Sequence, residues 1–131
     1  MWENNVQKDI NDLMVEFALQ DKLVLRLKGG DASLFSNVLD ELHAVKNNNI
    51  PYEIIPGISA AFGAAAYTGI PLTARGFSRG VRFLTLYDLD KVGSHQWQDW
   101  ATTEDTLVFY MSGQRLDFLT KQLLKQEISL E

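Results

Sequence analysis

The sequence predicts an α/β fold. Helix-like and strand-like stretches alternate along it, short connections rich in Gly, Pro and Asn separate them, and the first strand candidate ends on a Gly-Gly-Asp turn. That grammar belongs to parallel strands covered by helices.

The elements follow in order. Val6, Ile10, Leu13, Met14 and Phe17 recur at helical spacing and predict a helix over about residues 5–20, capped by Asn4 or Asn5. Lys22 to Lys28, with Leu23-Val24-Leu25 at its centre and Gly29-Gly30 behind it, reads as a strand. Phe35, Val38, Leu39, Leu42 and Val45 mark a second helical face. Ser33 or Ser36 is its expected cap, and Asn47-Asn48-Asn49 its end. Pro51 to Ile55 reads as a strand closed by Pro56-Gly57, the predicted boundary between two α/β portions, 1–56 and 57–131.

Past that boundary, residues 58–67 form a helix of very small side chains, stopped by Thr68-Gly69. A loop over 69–80 leads to a strand at Val81–Tyr87. Residues 88–104 read as polar and irregular, Thr106–Tyr110 as a strand, and Leu116, Leu119, Leu123 and Leu124 as the apolar line of a last helix opened by Ser112-Gly113. Two strands on each side of Pro56 are few for a free-standing sheet, so the chain reads as part of something larger or as a protomer that associates.

Composition narrows the function classes. The 131 residues are 46% apolar, enough for a packed core rather than a disordered tail. Twelve basic against seventeen acidic residues leave a net charge of −5, which argues against non-specific nucleic-acid binding. No run of eighteen apolar residues occurs, and the N-terminal stretch lacks the pattern of a secretory signal. The expectation is therefore no membrane span, no nucleic-acid partner and a cytoplasmic location. Without Cys there is no disulfide, thiolate metal site or cysteine nucleophile.

Several residues are candidates for chemistry. Gly29-Gly30-Asp31 stands where a strand's carboxyl end meets a helix, the place where open α/β sheets bind ligands. Two glycines admit a ligand close to the backbone, and Asp31 can accept hydrogen bonds from hydroxyl or amine groups. The same triplet also suits a tight turn in which Asp31 caps the next helix. The Ala60–Ala66 stretch suits either close helix packing or a flat ligand. Arg75, Arg79 and Arg82 suit either a carboxylate or phosphate ligand or a solvated loop. Lys28 is a possible proton donor, though lysines at strand ends are usually solvated. His43 has no metal-ligand partner one turn on, Asp88 and Asp90 are weak metal candidates, and Ser59 lacks the surroundings of a hydrolytic nucleophile. No metal is expected.

Four stretches arrive in an order that resembles the tetrapyrrole methylases. Leu27-Lys28-Gly29-Gly30-Asp31-Ala32-Ser33-Leu34-Phe35 resembles their Gly-Gly-Asp loop. Residues 50–59 resemble their crossover between lobes, residues 64–73 the stretch after it, and Thr106–Met111 the strand whose methionine faces the cofactor. Lys28 before the two glycines and the Phe109-Tyr110-Met111 ending are similar to the uroporphyrinogen-III C-methyltransferase branch, including the methylase module of sirohaem synthase.

The resemblance implies a partial two-lobe α/β fold in αβα layers. The first lobe's sheet would be mostly parallel and the second's mixed, with the site in the cleft between the lobes. It implies S-adenosylmethionine as cofactor, held by Gly29, Gly30, Asp31, Leu34, Ser59, Ala60 and Met111. It implies C-methylation of uroporphyrinogen III to precorrin-2, with Arg75 and Arg82 gripping substrate carboxylates, and a homodimer. A non-catalytic dimerising fragment of the fold and a methylase for another tetrapyrrole are the competing readings.

The sequence also departs from the family pattern. Asn37 stands where the family has an arginine, Ala32 for a proline, Ala74 for a histidine and Leu86-Tyr87 for Gly-His. Nothing matches the family's opening Gly-Pro-Gly-Asp loop, and its closing strands have no counterpart here. The chain therefore reads as a truncated or divergent member.

Overall fold

The computed structural model describes residues 3–87 and 91–126. It divides into two units, 1–60 and 61–131.

The first unit holds two helices, α1 (Glu3–Ala18) and α2 (Val38–Asn47), packed on each other. Helix α1 starts ahead of the expected position, so Asn4 and Asn5 lie within its first turn rather than capping it. Its inward face is Gln7, Ile10, Asn11, Met14, Val15 and Ala18, while Val6, Leu13 and Phe17 of the predicted stripe stay exposed. Both helices stop the same way. After α1 the Lys22 amide bonds the Phe17 carbonyl and Asp21 takes φ 59°. After α2 the Ile50 amide bonds the Val45 carbonyl and Asn49 takes φ 56°. A short polar side chain tolerates that left-handed turn, so the Asn-rich stop read from the sequence works through backbone conformation.

The two strands expected in this unit are extended segments without a ladder: residues 22–28 and 51–55 belong to no sheet. Sheet hydrogen bonds need a neighbouring strand, which neither segment has among the described residues. Residues 22–28 keep the period of two all the same. Val24, Arg26 and Lys28 are partly covered or bonded within the unit, whereas Leu23, Leu25 and Leu27 face outward, fully or largely exposed.

The second unit contains the sheet. Strands β1 (Val81–Thr85) and β2 (Thr106–Tyr110) pair in parallel, Val81 beside Thr106 and Thr85 beside Tyr110. One face carries Leu84, Leu107 and Phe109 against α4 (Ser94–Thr102) and α5 (Leu116–Leu124), and the core forms there around Leu86, Trp97, Trp100 and Leu119. The Trp97 and Trp100 rings meet edge to face at 5.1 Å, and Trp100 meets Phe109 likewise at 5.5 Å. On the other face Phe83 lies 6.1 Å from Phe62 of α3 (Ala60–Thr68) and 6.3 Å from Tyr110. Among the described residues the sheet is this parallel pair.

Residues 94–102, within the stretch expected to be irregular, form helix α4. Its two tryptophans sit three apart and turn to one face, and the Gly93 amide donates to the Gln96 side chain at its start. Many polar neighbours masked that spacing. The close packing expected of the alanine-rich α3 occurs at Ala61, which is buried, while a side chain on Gly63 would meet nothing within 4 Å. The large Phe62 ring and the Tyr110 hydroxyl, which accepts from the Ala61 amide at 3.1 Å, set the spacing between this helix and the sheet. Among the described residues no helix is long and apolar enough to cross a membrane.

Candidate functional site

Gly29, Gly30 and Asp31 follow the extended 22–28 segment and precede the turn into α2. Gly30 takes φ 110°, open to glycine and closed to ordinary side chains. Asp31 settles between two roles offered by the sequence. One carboxylate oxygen, Oδ1, accepts from the Ser33 amide at 2.8 Å and from the Ser33 hydroxyl, forming a local turn. The other, Oδ2, accepts from the Gly57 amide at 2.8 Å, twenty-six residues away. Asp31 is thus a cross-link as well as a turn former, and it does not cap α2. The Ser33 hydroxyl, then the Gly57 and Ser33 amides, hold its carboxyl below the usual carboxylate range.

The loop and the crossover meet backbone to backbone. A Cβ on Gly57 would fall on the Gly30 carbonyl oxygen and lie 2.8 Å from its carbonyl carbon. A Cβ on Gly30 would meet the Ile58 carbonyl at 3.4 Å. The expected donor residues Gly30, Asp31, Ser59 and Ala60 therefore lie on two strands of chain joined at Gly57. Ser59 is buried and Ala60 begins α3. Space around Gly29 is open, for a Cβ there would meet nothing within 4 Å. Leu34 is partly buried within the turn, its amide reaching the Asp31 carbonyl at 3.4 Å.

Neither serine caps α2. Ser33 serves Asp31, the Ser36 hydroxyl bonds the Ala32 carbonyl, and Asn37 precedes the helix at φ 54° with no side-chain cap. Lys28 is not solvated either. Its ammonium donates to the Ser36 carbonyl at 2.6 Å and lies 2.7 Å from Oε2 of Glu41. Glu41 is buried in the first turn of α2, where Arg26 at 3.0 Å and Gln7 at 3.2 Å also donate to it. Burial pushes this carboxyl up, but the bonds from Lys28, Gln7 and Arg26 outweigh burial and leave it below its ordinary value. The sequence offers little sign of Glu41: it reads as one more acidic residue at a helix start, and its partners lie thirteen and more positions away.

The second unit places the rest. Met111 directly follows β2 with φ 57°, rare for a side chain of its size, and its exposed thioether lies 3.9 Å from the Thr85 hydroxyl. The three arginines part company. Arg75 and Arg79 line an open depression with Thr73, Ala74, Gly76 and Ser78, closed by reciprocal backbone bonds between Ala74 and Ser78. Arg82 is held by two aspartates, one of them in α4: its Nε donates to Asp105 at 2.7 Å and its Nη1 to Asp99 at 2.6 Å. The Asp105 bond first, helped by Asp99, raises the guanidinium's already high pKa. His43 and His95 are exposed, and no group of three metal-binding side chains occurs among the described residues. Asp88 and Asp90 lie outside the described residues.

The profile of the Tetrapyrrole (Corrin/Porphyrin) Methylases matches residues 3–130. A siroheme synthase of Pseudomonas aeruginosa is 45% identical over 123 residues, 93% of this chain and 26% of that protein. One of Saccharophagus degradans is 40% identical over 119 residues, again 26% of its length. Among solved structures, a uroporphyrin-III-C-methyltransferase from Thermus thermophilus superposes with a TM-score of 0.72 at 32% identity, over 92% of this chain and 48% of that one. A Thermus thermophilus uroporphyrin-III C-methyl transferase complexed with S-adenyl homocysteine gives 0.68 at 26% identity. The chain thus spans about a quarter of the siroheme synthases and about half of the solved methyltransferases it matches. A match that runs nearly end to end, through the Gly-Gly-Asp loop, the Gly57 crossover and the β2–Met111 junction, makes this chain a member of the tetrapyrrole methylase family.

Proposed function

We propose that this chain supplies part of an S-adenosylmethionine-dependent methyltransferase that methylates carbons of uroporphyrinogen III on the way to precorrin-2. The observation that carries the reading is the backbone junction of the Gly29–Asp31 loop with Gly57–Ser59. It gathers exposed backbone, an ionised carboxylate with one lone pair still free on Oδ2, and a glycine with open space around it. Those groups fit the amine and hydroxyls of an adenosyl amino-acid donor, and the sulfonium-bound methyl is the chemistry that donor supplies when bound. In this reading Gly29, Gly30, Asp31, Leu34, Ser59 and Ala60 hold the donor. The arrangement in two lobes, 1–56 and 57–131, belongs to the same proposal.

The protein's part in such a transfer is positional. Methyl transfer needs sulfur, methyl and attacking carbon in line, and holding that alignment supplies much of the rate. Arg75 sits in an open depression and can grip a substrate carboxylate by its two-pronged fork. Arg82 can do so only by exchanging Asp99 or Asp105 for the substrate.

Calorimetric titration of this chain with S-adenosylhomocysteine is expected to give saturable one-site heat. A methyl-transfer assay is expected to favour uroporphyrinogen III over later corrin intermediates. Absence of heat at high ligand rejects the donor site, and preference for a later intermediate reassigns the substrate.

One observation favours a second reading, a non-catalytic dimerising module of the same fold. Residues 22–28 have no ladder partner among the described residues and turn Leu23, Leu25 and Leu27 outward, the kind of unpaired, apolar segment that recruits another strand. Sedimentation would then show a dimer that Leu25→Lys dissociates; a monomer at all concentrations rejects this reading.

A further inference from the structure

We propose that the buried Lys28–Glu41 ion pair is a positioning device that closes the Gly29–Asn37 loop across its neck. The inference rests on the donor-site reading above and adds the part that sets the loop's shape. Lys28 is the residue immediately before Gly29. Its single ammonium reaches both the Ser36 carbonyl, at the far end of the loop, and Glu41 in the first turn of α2. The loop's two ends are thereby tied to one point.

The loop needs such a tie. Three of its nine residues hold positive φ, Gly30 at 110°, Phe35 at 51° and Asn37 at 54°, and two of these are not glycine. The helix it enters has no side-chain cap. Left to itself, a loop with those conformations would relax toward ordinary backbone. Glu41 is well held for its task. Oε1 accepts from Gln7, Arg26 and Lys28 at once, which orients the carboxylate and leaves Oε2 at 2.7 Å from the ammonium.

A pair this covered, 13% exposed at Lys28 and 5% at Glu41, is a poor way to gain stability, because both charges lose their water. Apolar residues of similar volume usually do as well or better in such a place. What an apolar pair cannot do is bond the Ser36 carbonyl and fix where the loop begins. Glu41 acts through Lys28, and Lys28 acts on the backbone that carries Gly29, Gly30 and Asp31.

The test uses the full chain with Lys28→Met/Glu41→Leu, Lys28→Met alone and Lys28→Arg. Urea unfolding checks stability, and two further measurements are made, amide exchange in the ligand-free chain and S-adenosylhomocysteine affinity by calorimetry. The double variant is expected to keep the urea midpoint of the parent. Its Leu34 and Gly57 amides should exchange at least tenfold faster while those inside α1 and α2 keep their rates, and its affinity should fall at least tenfold. Lys28→Arg, which keeps the charge and can reach both partners, should stay within threefold of the parent in both measurements.

Lys28→Met leaves Glu41 bonded to Arg26 and Gln7, so it decides the question should the double variant fail to fold; it carries the same expectation for exchange and affinity, with a lower urea midpoint because one partner of a buried pair is gone. Folded variants with parental exchange at Leu34 and Gly57 overturn the proposal, as does equal acceleration throughout α1 and α2. A parent that binds no ligand rejects the donor-site reading instead, and the exchange measurement still decides the role of the pair.

Discussion

Gly57→Ala is expected to destabilise residues 1–60 by about 2–3 kcal/mol, the upper range for forcing extra volume into a filled place. The new methyl would fall on the Gly30 carbonyl and stand 3.1 Å from the Asp31 Cα. Both are backbone atoms, so no side-chain rotation relieves the clash. The chain must part at the junction, and the bond from the Gly57 amide to Asp31 parts with it. The donor reading adds a second consequence, at least a tenfold loss of S-adenosylhomocysteine affinity.

Gly29→Ala is the informative companion. Its methyl has open space, so stability should change by no more than about 0.5 kcal/mol, as for surface substitutions clear of special features. Its affinity should fall nonetheless, because that open space is where the donor is assigned. Urea unfolding and calorimetry on the two variants separate a glycine required by the fold from one required by the ligand. Parental stability in Gly57→Ala would show that the junction is not rigid.

Trp100→Ala is expected to cost about 3–5 kcal/mol, the range for removing a large aromatic from a core. Trp100 is buried against Trp97 and Phe109 in the cluster that joins α4 and α5 to the sheet. A domain of ordinary stability has about 5–15 kcal/mol in total, so the loss would take a large part of it. Unfolding followed by the remaining tryptophans should shift to markedly lower urea, with residues 61–131 melting first. A shift equivalent to less than about 1 kcal/mol, the size of a typical single substitution, would mean that the Trp cluster is not the centre of that unit's stability.

Much of the helical content was legible because helices depend on local information. The small-residue helix, the 106–110 strand and the last helix stand where spacing and stop signals put them. The Asn run ended α2 as expected. Where caps were read from nearby serines the structure differs, because Ser33 and Ser36 found partners inside the turn before the helix began. Helix α4 leaves little trace in the sequence, since its apolar face is two tryptophans among polar residues. The segments 22–28 and 51–55 carry strand-forming sequence without a ladder among the described residues, since pairing belongs to two strands and not to one.

By itself the sequence determined the α/β character, the order of most elements, and a motif series that placed the chain in its family. Each of these is encoded over a few neighbouring residues or in their order. Only the tertiary structure decided that Asp31 ties the loop to Gly57, that Lys28 is buried against Glu41, and that Arg82 is held by two aspartates while Arg75 stands in an open depression. The bonds of Asp31, Lys28 and Arg82 join groups between thirteen and twenty-six residues apart. Hydrogen-bond and ion-pair partners at such separations are chosen by how the chain packs, and no local pattern in the sequence records the choice.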